Sequence, residues 1–304
     1  MTNLEIRGYS ERGMINTLFH EMKYSPNGID LLRDFLQLCE FPGMVTKPDF
    51  DRFSGAKIRI EQSFSDFGDL DVLILVEDEP KQAIFIEAKV KTYQSRHWSI
   101  QSHWDAFTQF SPRQILTSNL FVQIYRKMRL VEKVRSSAGS LVPNIVSRRW
   151  SLGENDIVKK AAIELAPYCD QVWFVALVPG PTIGLQNFFS DVGKEPAPHN
   201  LEGWDTSRWG YLSWEDLEAH CRRNVMDWPE TCASFDYNQG QIFNEGLPGN
   251  VGPNLPPPPG SAVTWLSPNG PELVAVKRRG TTNTRVVHKD GTTTRVPNAQ
   301  LTWD

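Results

Sequence analysis

Two apolar runs, DVLILV (71–76) and AIFIEA (83–88), are separated only by the polar hexapeptide EDEPKQ. Their near-continuous β-branched and apolar character suits strands covered on both faces, and the short polar connection suits a hairpin. A sheet buried on both sides needs helices on each side, which restricts the chain to a layered α/β or α+β architecture. Yet the ends of these core strands are charged. Asp69 and Asp71 stand at the mouth of the first, and Glu87 and Lys89 at the end of the second.

The flanking segments supply the helices. After Ser10, a plausible N-cap, Met14, Ile15, Leu18, Phe19 and Met22 recur at helical spacing, and Ile29, Leu32, Phe35, Leu36 and Cys39 repeat the pattern before Pro42-Gly43. AKIRIEQ (56–62) alternates as a half-exposed strand. From Gln94 to about Lys133 the pattern turns helical, with Leu116, Leu120, Ile124, Met128 and Val131 on one stripe; Arg126, Lys127, Arg129, Lys133 and Arg135 make its far end basic. NDIVKKAAIELAPY reads as a helix, QVWFVALVP as another buried strand, and LSWEDLEAHCRR as a helix capped by Ser213.

Charge is unevenly spread. Residues 1–90 hold ten Lys/Arg against sixteen Asp/Glu, whereas 121–160 hold nine against three. An acidic first part able to hold metal, followed by basic segments able to hold phosphate, is compatible with a metal-dependent nuclease and equally with ordinary surface variation. The four cysteines have neither C-x-x-C spacing nor a histidine at zinc distance, so reduced, buried thiols are expected rather than a zinc site. Neither a signal segment nor an apolar stretch of membrane-span length is visible, so no membrane partner and a cytoplasmic location are expected. Phosphate loops, G-x-S-x-G and Rossmann glycine patterns are absent from the sequence, which leaves nucleotide-driven and serine-hydrolase chemistry without support.

The charged strand ends can be tested by register. If the hairpin turns about residue 79, Asp71 lies opposite Glu87, and opposed side chains start only about 4.5–5.5 Å apart. Two carboxylates at that spacing repel unless a cation lies between them, and a divalent ion with oxygen ligands is the natural solution. Lys89, on the same face, would place an ammonium beside it, able to steady a phosphate or orient a water. Asp69 shares the face and rivals Asp71 for the metal.

With Asp71 before VLIL and Glu87-Ala88-Lys89 ending IFIEAK, the chain resembles the PD-(D/E)XK nuclease superfamily over roughly residues 8–225. The resemblance implies a restriction endonuclease-like mixed sheet flanked by helices. It also implies a Mg²⁺-dependent phosphodiesterase, with Mn²⁺ as the alternative ion. Asp71 and Glu87 would ligate the metal with the Ala88 carbonyl, Glu11 would bind a second ion or a metal-bound water, and Asp71, Glu87, Lys89 and Glu11 would form the catalytic set. A supporting glutamine is also implied, for which Gln94, Gln101 and Gln109 compete. Leu70 stands where many members carry proline. Nucleic acid, with DNA preferred, is the implied substrate; phage defence or restriction is the implied role, and a homodimer is one way to cut both strands. His97 and His103 read as surface histidines of an amphipathic helix, with a substrate-side wall as the other reading.

A boundary falls at 246–261, GLPGNVGPNLPPPPGS, where proline and glycine displace everything able to pack. This divides the chain into a nuclease-like domain (1–245), a linker (246–261) and a small all-β module (262–304). The module resembles SH3-like small barrels of Tudor and KOW type, with Asp290-Gly291 as a hairpin turn. Lys277, Arg278 and Arg279 are its candidate nucleic-acid contacts, and Trp265 and Trp303 its candidate core or stacking residues. The competing reading of the whole chain is a non-catalytic adaptor that keeps the nuclease fold and binds protein or nucleic acid through the barrel.

Overall fold

The computed structural model describes residues 8–44, 47–90, 98–109, 118–136, 151–192, 198, 201–242, 262–267, 270–278, 283–297 and 301–302. The chain is α/β and divides into two compact units, Met1–Phe243 and Asn244–Asp304. The linker expected at 246–261, together with Gln94, His97, Leu116, Arg279 and Trp303, lies outside the described residues.

The first unit is built on a five-stranded mixed sheet in the order β1-β2-β3-β4-β5, comprising β1 (Ala56–Ser63), β2 (Asp69–Val76), β3 (Gln82–Ala88), β4 (Val172–Val178) and β5 (Trp209–Ser213). The first three strands are antiparallel neighbours; β4 and β5 run parallel to β3. Alternation along β4 shows why the sheet is covered twice. Phe174, Ala176 and Val178 enter one core while Trp173, Val175 and Leu177 enter the other.

The second of these cores is closed by α1 (Ser10–Tyr24), α2 (Gly28–Gln37), α7 (Trp214–Arg223) and α8 (Pro229–Ile242). The first is closed by α3 (Ile100–Thr108), α4 (Leu120–Ser136), α5 (Asp156–Leu165) and α6 (Thr182–Val192). The expected stripe Leu120, Ile124, Met128 and Val131 is buried on α4. All four cysteines are free and buried. Among the described residues, no helix is long and apolar enough to cross a membrane.

Two expectations need correction. Ser10 is not a side-chain cap: it begins α1 with φ 66°, and its N–H donates instead to Asn238 Oδ1 of α8 at 2.9 Å. Lys127 and Arg129 do not belong to a solvated basic face. Lys127 is fully buried because it falls on the apolar stripe that α4 turns toward the sheet, and Arg129 is 5% exposed on another side of the helix, where it pairs with Glu132 and Glu202. Ser213 does cap α7, accepting from the Asp216 N–H at 2.9 Å.

The second unit is an antiparallel sheet in the order β10-β6-β7-β8-β9, formed by β6 (Ala262–Ser267), β7 (Gly270–Arg278), β8 (Asn283–Val287), β9 (Thr293–Pro297) and β10 (Leu301–Thr302). Val263, Val274, Val286 and Val296 form its core, with Trp265 packed against it. The Asp-Gly turn forms as the sequence predicts: Gly291 adopts φ 82°, and Asp290 Oδ1 accepts from the Thr292 N–H at 2.9 Å.

Candidate metal and phosphodiester site

The β2–β3 ladder has the predicted register, with Val72 opposite Ile86, Leu73 opposite Phe85 and Ile74 opposite Ile84. One step further would set Asp71 opposite Glu87, but the ladder stops at Val72. The Asp71 carboxylate turns instead onto the Ala88 N–H, with Oδ2 accepting at 2.7 Å. Asp71 therefore grips the backbone between Glu87 and Lys89. Asp69, its rival, has an exposed side chain and contributes its carbonyl elsewhere.

Lys89 lies just past the carboxyl end of β3, the end at which open α/β sheets place their ligands. Its N–H donates to the Leu177 carbonyl at 2.9 Å, and the Trp214 indole N–H donates to its carbonyl at 2.9 Å. Neighbouring strand and helix thus fix the backbone that carries the ammonium. Lys89 Nζ stands 3.8 Å from Asp71 Oδ2 and 4.0 Å from Glu11 Oε1, and it donates to the Ala88 carbonyl. That carbonyl, expected among the metal ligands, is engaged by the neighbouring lysine. Glu11 reaches the cluster from the first turn of α1.

Glu87 is 1% exposed, and neither of its carboxylate oxygens has a hydrogen-bond partner. Its nearest counter-charge is Lys127, whose Nζ stands 3.4 Å from Oε1: within ion-pair range, but too long to satisfy the oxygen well. Burial pushes the Glu87 carboxyl up to about 7 against the opposing pull of Lys127, and pushes the Lys127 ammonium down. Burial likewise raises Glu11 to about 7; Lys89 opposes this shift and Asp71 adds to it. Burial, more than the neighbouring Asp71 carboxylate, displaces both carboxyls, and each faces a lysine that pulls the other way.

Lys127 is the site residue that the sequence reading missed. The signal was present, since 124, 127, 128 and 131 fall on one helical stripe and Lys127 is its charged member. A lysine on a core-facing stripe calls for a buried partner.

The two described candidate glutamines do not join this cluster. Gln101 is exposed and donates to Asp105 Oδ1 at 2.8 Å, and Gln109 is exposed beyond the end of α3. His103 is no simple surface histidine: its half-buried ring accepts from the Leu120 N–H through Nδ1 at 3.1 Å, and burial, helped by the Lys89 ammonium, lowers it to about 4, so it stands within electrostatic reach of the cluster. Lys277 and Arg278 lie on β7.

The residues present fit a hard divalent cation in one respect: Glu87 presents two unsatisfied buried oxygens beside the Asp71 carboxylate. Among the described residues, no group of three or more His, Cys, Asp or Glu is drawn together closely enough to cage a metal unaided. Other ligand positions would fall to water or substrate, as is usual for Mg²⁺. No protein-family model matches the chain, and no curated protein matches its sequence.

Proposed function

We propose that the first unit is a metal-dependent phosphodiesterase of restriction endonuclease-like fold acting on nucleic acid, with DNA the preferred substrate. The second unit is then an SH3-like barrel that helps hold the substrate. The observation that carries this reading is the buried, unsatisfied Glu87 carboxylate beside Asp71, with Lys89 fixed at the same strand end.

Asp71, Glu87 and Glu11 would hold Mg²⁺ or Mn²⁺, directly or through water. A cation held there supplies Lewis-acid polarisation of a phosphoryl oxygen and neutralises developing charge. The rest falls to the chain. Lys89, whose side chain is 11% exposed, meets the scissile phosphate with its ammonium and orients the attacking water. Trp214 and Leu177 keep that ammonium in place by holding the backbone on which it stands.

The test is a cleavage panel of single- and double-stranded DNA and RNA with Mg²⁺ or Mn²⁺, run on wild type and Lys89→Ala. Cleavage of one substrate class, lost in Lys89→Ala, is expected; a variant that cuts as well as wild type sinks the assignment. Calorimetric titration with Mn²⁺ separates this reading from an adaptor, which predicts no uptake in wild type. The enzyme reading predicts uptake that Asp71→Ala loses.

A further inference from the structure

The phosphodiesterase reading leaves Lys127 without a task, although nothing else in the cluster is so completely enclosed. Its side chain is 0% exposed, and α4 delivers it into the core forty residues after Glu87. An ammonium has three N–H donors. One goes to the Phe67 carbonyl at 2.9 Å, one to the Asp69 carbonyl at 2.8 Å, and Glu87 Oε1 at 3.4 Å stands before the third. With two donors held by backbone carbonyls, only the Glu87 carboxylate at ion-pair distance and no exposed surface, Lys127 acts through the groups around it rather than on a substrate.

Those groups are the two sides of the site. Phe67 and Asp69 flank Gly68, the φ 81° turn that starts β2 two residues before Asp71. A Cβ on Gly68 would stand 3.3 Å from the Lys127 ammonium, so the turn is shaped around it. Lys127 thereby ties the start of the Asp71 strand to the Glu87 carboxylate. Its charge also matters. Asp71, Glu87 and Glu11 against Lys89 and Lys127 leave one net negative charge when all are ionised. One divalent cation reverses that charge. A second would leave a large positive excess in an enclosed site.

We propose that Lys127 is a fixed internal counter-ion, a positioning residue that holds Glu87 from behind and limits the cluster to a single divalent cation. This rests on the phosphodiesterase reading only for the cation; the grip on Glu87 is a property of the metal-free chain.

Two measurements on the full chain test it. The first is calorimetric titration with Mn²⁺ alone on wild type, Lys127→Met and Lys127→Gln. Wild type is expected to take one Mn²⁺, and both variants to bind it at least tenfold more tightly, because a positive charge beside a ligand carboxylate has gone. The second compares thermal melts at pH 8 of Lys127→Met with and without Glu87→Gln. The double variant is expected to melt higher, since it leaves no bare carboxylate in the core. If Lys127→Met does not fold, recovery of a cooperative melt in the double variant is the same support. Two Mn²⁺ per wild-type chain, unchanged affinity in both Lys127 variants, or a double variant that melts no higher overturns the proposal. Wild type that takes up no Mn²⁺ sinks the phosphodiesterase reading and the one-cation limit with it, while the melts still decide whether Lys127 holds Glu87.

Discussion

Lys89 and Glu87 stand two residues apart in the chain yet carry opposite demands. Lys89 can lose its ammonium cheaply, because its backbone bonds to Leu177 and Trp214 do not involve the side chain. On the proposed function, Lys89→Met is therefore expected to melt within a few degrees of wild type while losing about 100-fold or more in cleavage rate. A collapse of the melt instead would mean that the residue is structural. Glu215 offers a pH prediction away from the cluster. Both its oxygens accept from the Gly180 N–H at 3.0 Å, and burial raises its carboxyl from 4.5 to about 7. The folded chain thus binds this proton more tightly than the unfolded chain. The resulting stability is full below about pH 4.5 and is lost as pH rises through about 7. Glu215→Gln lacks that loss. Its stability relative to wild type should rise by on the order of 2 kcal/mol between pH 4.5 and 8, measured by denaturant unfolding at each pH.

At the scale of elements, α4 depends on one residue at its start. Asn119 Oδ1 accepts from the Phe121 and Val122 N–H groups at 3.0 and 3.1 Å, and its amide donates to the His103 carbonyl at 2.7 Å. Asn119→Ala is expected to cost about 1–2 kcal/mol in unfolding free energy. If Lys127 needs a rigid α4 to stand against Glu87, the variant should shift Mn²⁺ binding in the same direction as Lys127→Met, toward tighter binding. The hairpin was legible from sequence because both strands announce themselves by unbroken apolar runs, and the register followed from counting about its turn. Position 71 was legible only in part: parity set Asp71 facing Glu87, whereas the carboxylate closes on a backbone N–H, a choice that alternation does not encode. Less was legible elsewhere. β5, WGYLS, is short and runs straight into α7, so its five buried residues read as the approach to a helix. The helices α6 and α8 went unannounced because glycines interrupt their patterns, at 184 and 240. Lys127 is legible only by its position on the stripe, because residue type alone marks that end of α4 as basic and does not say which charge is buried.

For the whole molecule, the division at Phe243/Asn244 predicts that a fragment of residues 1–245 folds and retains its own melt. On the proposed function it also keeps its cleavage chemistry but binds nucleic acid more weakly, with a shallower dependence on salt if Lys277 and Arg278 meet phosphates. Equal affinity and equal salt slope in fragment and full chain would remove the barrel from substrate binding. The cluster itself is drawn from α1, β2, β3 and α4, and Lys89 is locked only when Leu177 of β4 and Trp214 of α7 are in place. During synthesis, then, the first carboxylate leaves the ribosome long before the last support for the lysine. A growing or prematurely terminated chain carries Glu11, Asp71, Glu87 and Lys89 without a geometry in which they act together. On the proposed function, the order in which the chain is read would shield a host from half-made copies of the enzyme.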